Sequence, residues 1–263
     1  MPRPIWSGAI SFGLVNVPVK LYNAVRKKTV HFHQLRKSDG CRIRLKKVCP
    51  ADGAEVAAEN IVKGYEVSPD RYVTFTADEL AAFCPEASRS IAIEDFVRLE
   101  EIDPLYFAQS YYLVPDKGAA KSYRLLLAAM QAAGRVAIAR LVLRNKEYLA
   151  ALRPAGRTLS LATMHFADEI VSPEELEGLP GEEFAPTERE MAAAGQLIES
   201  LTAVFEPQRY RNEYYRRVME LVERKAEGRE TVTRPAAEEG ARVIDLMAAL
   251  EASLAAAKKK PPA

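Results

Sequence analysis

A chain of 263 residues that is 48% hydrophobic and 28% charged has the composition of an ordinary globular protein and is long enough to bury a substantial core. It holds no run of 18 apolar residues, which excludes a membrane-spanning helix, and its three cysteines (Cys41, Cys49 and Cys84) exclude a disulfide framework. The formal net charge of +1 conceals a segregation: residues 1–50 carry eleven Lys/Arg against Asp39 alone, and residues 166–206 carry eleven Asp/Glu against Arg189 alone. A basic block of that size is an electrostatic footprint for phosphates, unless the two blocks neutralise each other in the fold. The opening Met-Pro-Arg-Pro-Ile-Trp lacks the apolar stretch of a signal peptide, so a reducing cytoplasmic setting is expected.

In chain order, Ile5–Tyr22 predicts two β segments. Ile10, Phe12 and Leu14 alternate with small residues, and Val17, Val19 and Leu21 alternate with Pro18, Lys20 and Tyr22, so one set enters a core while the other faces out. Gly8 and Gly13 suit a bulge or a close backbone approach. Arg26-Lys27-Lys28 and His31-Phe32-His33 lead into a basic loop from Arg36 to Lys47; between 26 and 47 lie nine Lys/Arg and one Asp. Two β runs around Ser68-Pro69-Asp70 predict a hairpin, and Thr76-Ala77-Asp78-Glu79 is a capping box that opens a short helix to Phe83. Strands are expected at 90–93, 96–99 and 110–115. Ser122 is expected to cap a helix with Leu125, Leu126 and Met130 on one side, stopped by Gly134. From Arg135 to Leu143 apolar residues fill nearly every position, with Arg140 as the internal charge, and strands at 148–152 and 159–166 follow. So many short strands make the sheet mostly antiparallel and a barrel its natural closure. Beyond about residue 170 the composition turns helical. Ser172-Pro173-Glu174-Glu175 and Thr187-Glu188-Arg189-Glu190 are further capping boxes. Met191, Ala194, Ile198, Leu201 and Phe205 form one stripe, interrupted at Pro207; Tyr210, Tyr214, Val218, Leu221 and Val222 form a second before Gly228. Residues 229–234 are polar, 235–257 is amphipathic, and Lys258-Lys259-Lys260-Pro261-Pro262 is a basic end. No internal repeat is evident.

The chain contains no phosphate-loop, dinucleotide-binding, zinc-protease or nucleophile-elbow motif, and its only histidines are His31, His33 and His165, so no enzyme is expected. His33, Cys41, Cys49 and Asp52 are the one metal-like set. Zinc ribbons use paired C-x2-C knuckles, whereas Cys41 stands alone and Cys49-Pro50-Ala51-Asp52-Gly53 offers Cys then Asp. The expectation is a loop with two free thiols, no metal and no cofactor. The basic loop has Phe32 as its one interleaved aromatic, which favours phosphate contact over base stacking. Lys20, Arg26, Lys27, Lys28, Arg36, Arg42, Arg44, Lys46, Lys47, Arg140 and Arg144 are the candidate contacts. A metal-binding adaptor built on Cys41 and Cys49 is the alternative class, to be marked by stoichiometric zinc and sequence-specific DNA binding.

The string Trp6-Ser7-Gly8-Ala9-Ile10-Ser11-Phe12-Gly13-Leu14-Val15-Asn16-Val17-Pro18-Val19-Lys20-Leu21-Tyr22 resembles the opening of the bacterial Ku proteins, homodimeric DNA-end-binding factors of non-homologous end joining. The resemblance continues through 61–66, Tyr111-Tyr112-Leu113-Val114-Pro115, the run 135–152 and the run 205–215. Residues 243–254 are similar to the family's ligase-contact region. It implies a mixed α+β fold with an antiparallel, SPOC-like β-barrel core and a DNA-encircling bridge over 1–170. A helical arm at 171–228 and a ligase-recruiting segment with a basic tail at 229–263 complete it. It further implies a homodimeric ring on double-stranded DNA ends, sequence-independent binding, recruitment and stimulation of the ATP-dependent DNA ligase D, and a nucleoid-associated cytoplasmic protein without the von Willebrand A-like domain of eukaryotic Ku. Some bacterial Ku relatives carry a second Cys where this chain has Asp52. The residues fit independently: phosphate contacts need no base code, a ring selects ends by topology without a catalytic pocket, and the stripes of 187–228 expose more apolar surface than a helical pair covers. The linker 229–234 should free Val243, Leu246, Met247, Leu250 and Leu254, a face without an intramolecular partner, for a groove on another protein.

Overall fold

The alternation in the opening stretch produces β1 (Trp6–Phe12) and β2 (Val15–Asn23), paired antiparallel with Ile10 opposite Val17. Ile10, Val17, Val19 and Leu21 are fully buried. Leu14 is not an inward residue: it sits fully exposed in the tight turn, beside Gly13 at a φ of 55°. The computed structural model describes residues 3–83, 89–143, 146–181, 185–228 and 246–259. These fall into two units, Met1–Lys27 with His33–Ser172, and Lys28–Phe32 with Pro173–Ala263.

In the first unit, β3 (Lys63–Ser68) and β4 (Arg71–Phe75) form the expected hairpin, turning at Asp70 with a φ of 61°. They make a separate two-stranded sheet. Thr76 and Glu79 complete their capping box ahead of α1 (Ala77–Phe83). The two short strands expected at 90–99 are one strand, β5 (Ser90–Val97), bent by a register shift between Ile93 and Asp95. Then come β6 (Phe107–Pro115), α2 (Ala120–Ala133), β7 (Val136–Leu143), β8 (Lys146–Ala155) and β9 (Thr158–Met164). Seven strands close into a barrel in the order β1-β2-β6-β9-β8-β7-β5. Its one parallel seam, β1 on β5, runs only from Ala9 opposite Ser90 to Ser11 opposite Ala92. Gly8 lies at that seam, where a Cβ would fall 2.2 Å from the Arg89 carbonyl oxygen and 2.3 Å from the Trp6 ring. The sequence requirement there is a close approach rather than a bulge.

The barrel interior takes one side chain in two from each strand, including Ile91, Leu113, Leu141, Leu152, Leu159 and Leu161, and each such burial contributes about 1.5–3 kcal/mol. Helix α2 adds Tyr123, Leu126, Leu127 and Met130 to the same core. Leu125, expected on that face, points outward at 71% exposure. Ser122 does not cap the helix; the cap is Ala119, and Ser122 lies inside the first turn, donating to the Ala119 carbonyl. Gly134 does end it, in the left-handed conformation. The buried Tyr123 hydroxyl donates to the Leu113 carbonyl at 2.6 Å and accepts from the Leu159 N–H at 2.7 Å, which ties α2 to β6 and β9. A smaller cluster of Val136, Ala151 and Met164 is covered by Ile102, Tyr106 and Phe107.

In the second unit, Pro173–Glu175 forms only a single 3-10 turn. Thr187 and Glu190 form the predicted capping box of α3 (Glu188–Leu201). The helix ends at Leu201, before Pro207, and Phe205 instead stacks on Tyr210 at 5.6 Å. Asn212 caps α4 (Glu213–Ala226), so Tyr210 precedes that helix. α5 (Leu246–Lys259) packs on α3, with the Arg189 guanidinium 3.4 Å from the Glu251 carboxylate. The expectation that the C-terminal segment has no intramolecular partner is therefore corrected. The half-buried residues of α3 include Ala194 of the predicted stripe together with Ala193 and Leu197, one position round from it, while Met191, Ile198 and Leu201 stay exposed. Small residues let the helices approach there, while the bulkier stripe is left open.

Candidate nucleic-acid interface

The basic loop is built from two copies of one turn. Leu35 bridges Arg42, and Val48 bridges Glu55. In the first turn the Arg36 N–H donates to the Cys41 carbonyl and the Gly40 N–H to the Arg36 carbonyl; in the second, Cys49 donates to Ala54 and Gly53 to Cys49, all at 2.8–2.9 Å. Asp39 accepts from the Cys41 N–H at 3.1 Å, and Asp52 from the Ala54 N–H at 3.0 Å. Gly40 and Gly53 both hold a φ of 69°, which a side chain would resist. This internal repeat escaped the sequence because only its Asp-Gly pairs are identical. Those two Asp-Gly pairs were the available signal.

Superposing the turns places Arg36 where the second has Cys49, and Asp39 where the second has Asp52. The first turn closes these positions with an ion pair. The Arg36 Nε donates to Asp39 at 2.9 Å, and the same guanidinium makes a second, shorter bond to that carboxylate. The pairing holds Asp39 below the usual carboxylate range and raises Arg36. Cys41 is an exposed thiol and Cys49 a half-buried one. Among the described residues, no three His, Cys, Asp or Glu side chains converge as a metal site.

Between the turns runs Arg42-Ile43-Arg44-Leu45-Lys46-Lys47, exposed along its length, with Leu45 at 90%. Lys46 bonds Glu55 at 2.5 Å. Arg42, Arg44 and Lys47 have no ion-pair partner among the described residues. Three adjacent guanidinium and ammonium groups without acids to neutralise them attract a polyanion strongly at low salt.

The other candidates lie on other elements. Lys20 faces out from β2 and bonds Asp116 at 2.7 Å; the hydrogen bond raises the lysine and, with the Lys117 N–H, lowers the aspartate. Arg140 lies on the outer face of β7, 2.8 Å from Glu94 and 3.5 Å from Glu147. Arg26 and Lys27 are exposed just after β2, and Lys28 belongs to the second unit. Arg144, Val243, Cys84 and the linker 229–234 lie outside the described residues. Met247, Leu250 and Leu254 are half-buried on α5. Sequence reasoning missed the acids Glu55, Asp116, Glu94 and Glu147, because partners distant in sequence become neighbours only through strand pairing.

A closed β barrel bearing an exposed, acid-free cationic segment is suited to holding a polyanion. A family profile described as the Ku70/Ku80 beta-barrel domain matches residues 11–193. The non-homologous end joining protein Ku of Anaeromyxobacter sp. is 57% identical over 99% of this chain and 88% of its own length. Those of Desulfitobacterium hafniense (47%; 97% of this chain, 88% of the relative) and Archaeoglobus fulgidus (41%; 97% and 100%) are similar along most or all of their lengths. The SPOC domain of human PHD-finger protein 3 aligns at a TM-score of 0.29 and 13% identity, over 62% of this chain and 95% of that one. The chain belongs to the Ku family, a non-catalytic scaffold of DNA repair by end joining. Among the described residues no helix is long and apolar enough to cross a membrane.

Proposed function

We propose that this chain binds double-stranded DNA ends as a homodimeric ring, without reading sequence, and recruits and stimulates the ATP-dependent ligase D. The observation that carries DNA binding is the exposed segment Arg42–Lys47, in which Arg42, Arg44 and Lys47 face solvent without acid partners among the described residues. Such groups neutralise phosphates and displace counterions whatever the base sequence. Exposure of Met191, Ile198, Leu201 and Tyr214 on the arm supports a second copy as its cover. The relatives' role in end joining supports the choice of a free end as ligand and a nucleoid-associated, cytoplasmic protein. The C-terminal helix recruits the ligase either with its outer face or by leaving α3.

The test compares a linear duplex with the same duplex closed into a covalent circle. Linear DNA is expected to be bound at low salt, and the circle only after a cut by a restriction enzyme. Equal retention of both forms, with no gain on cutting, would show that the chain binds DNA but does not thread it.

A further inference from the structure

A groove of about 550 Å³ opens on the barrel between α2 and the β1–β2 turn. Its walls are Phe12 and Val15, Phe96 of β5, and Leu125 and Met130 of α2, with Arg135 at one end. Leu125 is 71% exposed, Phe96 46% and Val15 44%, although each would be better off out of water. The helix wall is two adjacent ridges, Leu125-Ala129-Ala133 and Ser122-Leu126-Met130, each recurring at every fourth position. Lys121 is exposed one turn before Leu125 and Arg135 follows the Gly134 stop, so a cation lies beyond each end of the helix wall. The surrounding sequence keeps this bias: between Asp116 and Glu147 there are seven Lys/Arg and no acid. Glu101, held low mainly by Arg98, also feels Arg135 as a weaker, longer-range attraction, and Asp95 precedes Phe96 on β5.

We propose that this groove is a docking site for an acidic amphipathic segment of another protein, one to two helical turns of apolar side chains flanked by carboxylates. Leucine-sized anchors fill the floor formed by Phe12, Phe96 and Met130, and the flanking carboxylates meet Lys121 and Arg135. The two end charges fix the register of the segment, and the apolar floor supplies most of the attraction. The groove uses none of the residues placed in the cationic segment, so DNA and the segment are held by separate surfaces. A second copy, offering the exposed stripe Met191, Ile198 and Leu201 of α3, is the other occupant, and the test separates the two.

The test uses the full chain and a fluorescein-labelled fourteen-residue helical peptide with leucines on one face and glutamates in its first and last turns; a second peptide has lysines in place of the glutamates. The acidic peptide is expected to bind and the lysine peptide to bind at least tenfold more weakly. Leu125→Glu and Arg135→Glu, both surface changes, are each expected to weaken the acidic peptide at least tenfold while the mass in solution and the affinity for linear DNA stay unchanged. Equal binding of the two peptides, or unaltered binding to both variants, overturns the proposal. So does displacement of the probe by a synthetic copy of residues 187–201 together with monomers in Leu125→Glu, which would make the groove a contact between copies.

Discussion

The charges that matter at the cationic segment are those without a partner. Arg36 is committed to Asp39, Lys46 to Glu55, Lys20 to Asp116 and Arg140 to Glu94, whereas Arg42, Arg44 and Lys47 face water. Reversal of Arg42 or Arg44 to Glu is expected to weaken binding to all duplex sequences alike and to flatten the slope of log K against log salt by about 0.9 for each phosphate no longer neutralised. Reversal of Arg140 is expected to leave that slope unchanged; a slope that moves with Arg140 and not with Arg42 would relocate the interface to the barrel wall. The paired acids also set a pH dependence. Asp39 and Asp116 have their pKa lowered in the folded chain, by the Arg36 and Lys20 hydrogen bonds first, so their contribution to stability is present above the ordinary carboxylate value of about 4 and is lost as the pH falls through the lowered value. Thermal melts should show the melting temperature falling below about pH 4, and falling less steeply in Asp116→Asn. The positive residues were legible in the sequence as a block, but their division into committed and free was not, because it depends on acids such as Asp116 that arrive from other strands.

At the scale of elements, local signals translated well wherever the chemistry was local. The capping boxes at Thr76 and Thr187, the Asp70 turn and the Gly134 stop all stand where the sequence places them. What failed, apart from the Ser122 cap, were inferences about facing. Leu125 points outward from α2, and on α3 Ala194 is covered as expected but with Ala193 and Leu197 rather than Met191, Ile198 and Leu201, because the neighbour that decides which face is buried is not local. The Tyr123 hydroxyl is the buried polar tie of α2, beside the exposed Gln131 amide donating to the Gly156 carbonyl. Tyr123→Phe keeps the ring but leaves the Leu159 N–H without its acceptor, while the Leu113 carbonyl keeps Thr158 as its other donor at 2.7 Å; the cost is about 1–3 kcal/mol, readable as a lower denaturation midpoint with an unchanged denaturant slope. The C-terminal helix is expected to be separable. A chain ending at Gly228 should still bind linear duplex while losing stimulation of ligase D; full stimulation by the shortened chain would place the recruiting surface on the remaining chain.

For the whole molecule, the exposed row Met191, Ile198 and Leu201, with Phe205 and Tyr210 beyond it, is too much apolar surface to leave in water. Light scattering at micromolar concentration should therefore give twice the chain mass, and Ile198→Asp with Leu201→Asp should shift it toward the single-chain value. A stable folded monomer of the unaltered protein would contradict the ring. The barrel class was readable from the count of short strands, but the parallel seam that closes it was not, since no periodicity distinguishes a parallel neighbour from an antiparallel one. That seam and the strand order also govern how the protein is born. β1 and β2 leave the ribosome first, yet β2 needs β6 and β6 needs β9, which ends at Met164. At roughly 5–20 residues per second, the intervening stretch of about 140 residues keeps the nascent Val17, Val19 and Leu21 uncovered for on the order of ten seconds. Of the barrel strands, the earliest made are thus among the last to be sheltered, and for that interval their apolar faces depend on something other than the finished barrel to keep them from aggregating.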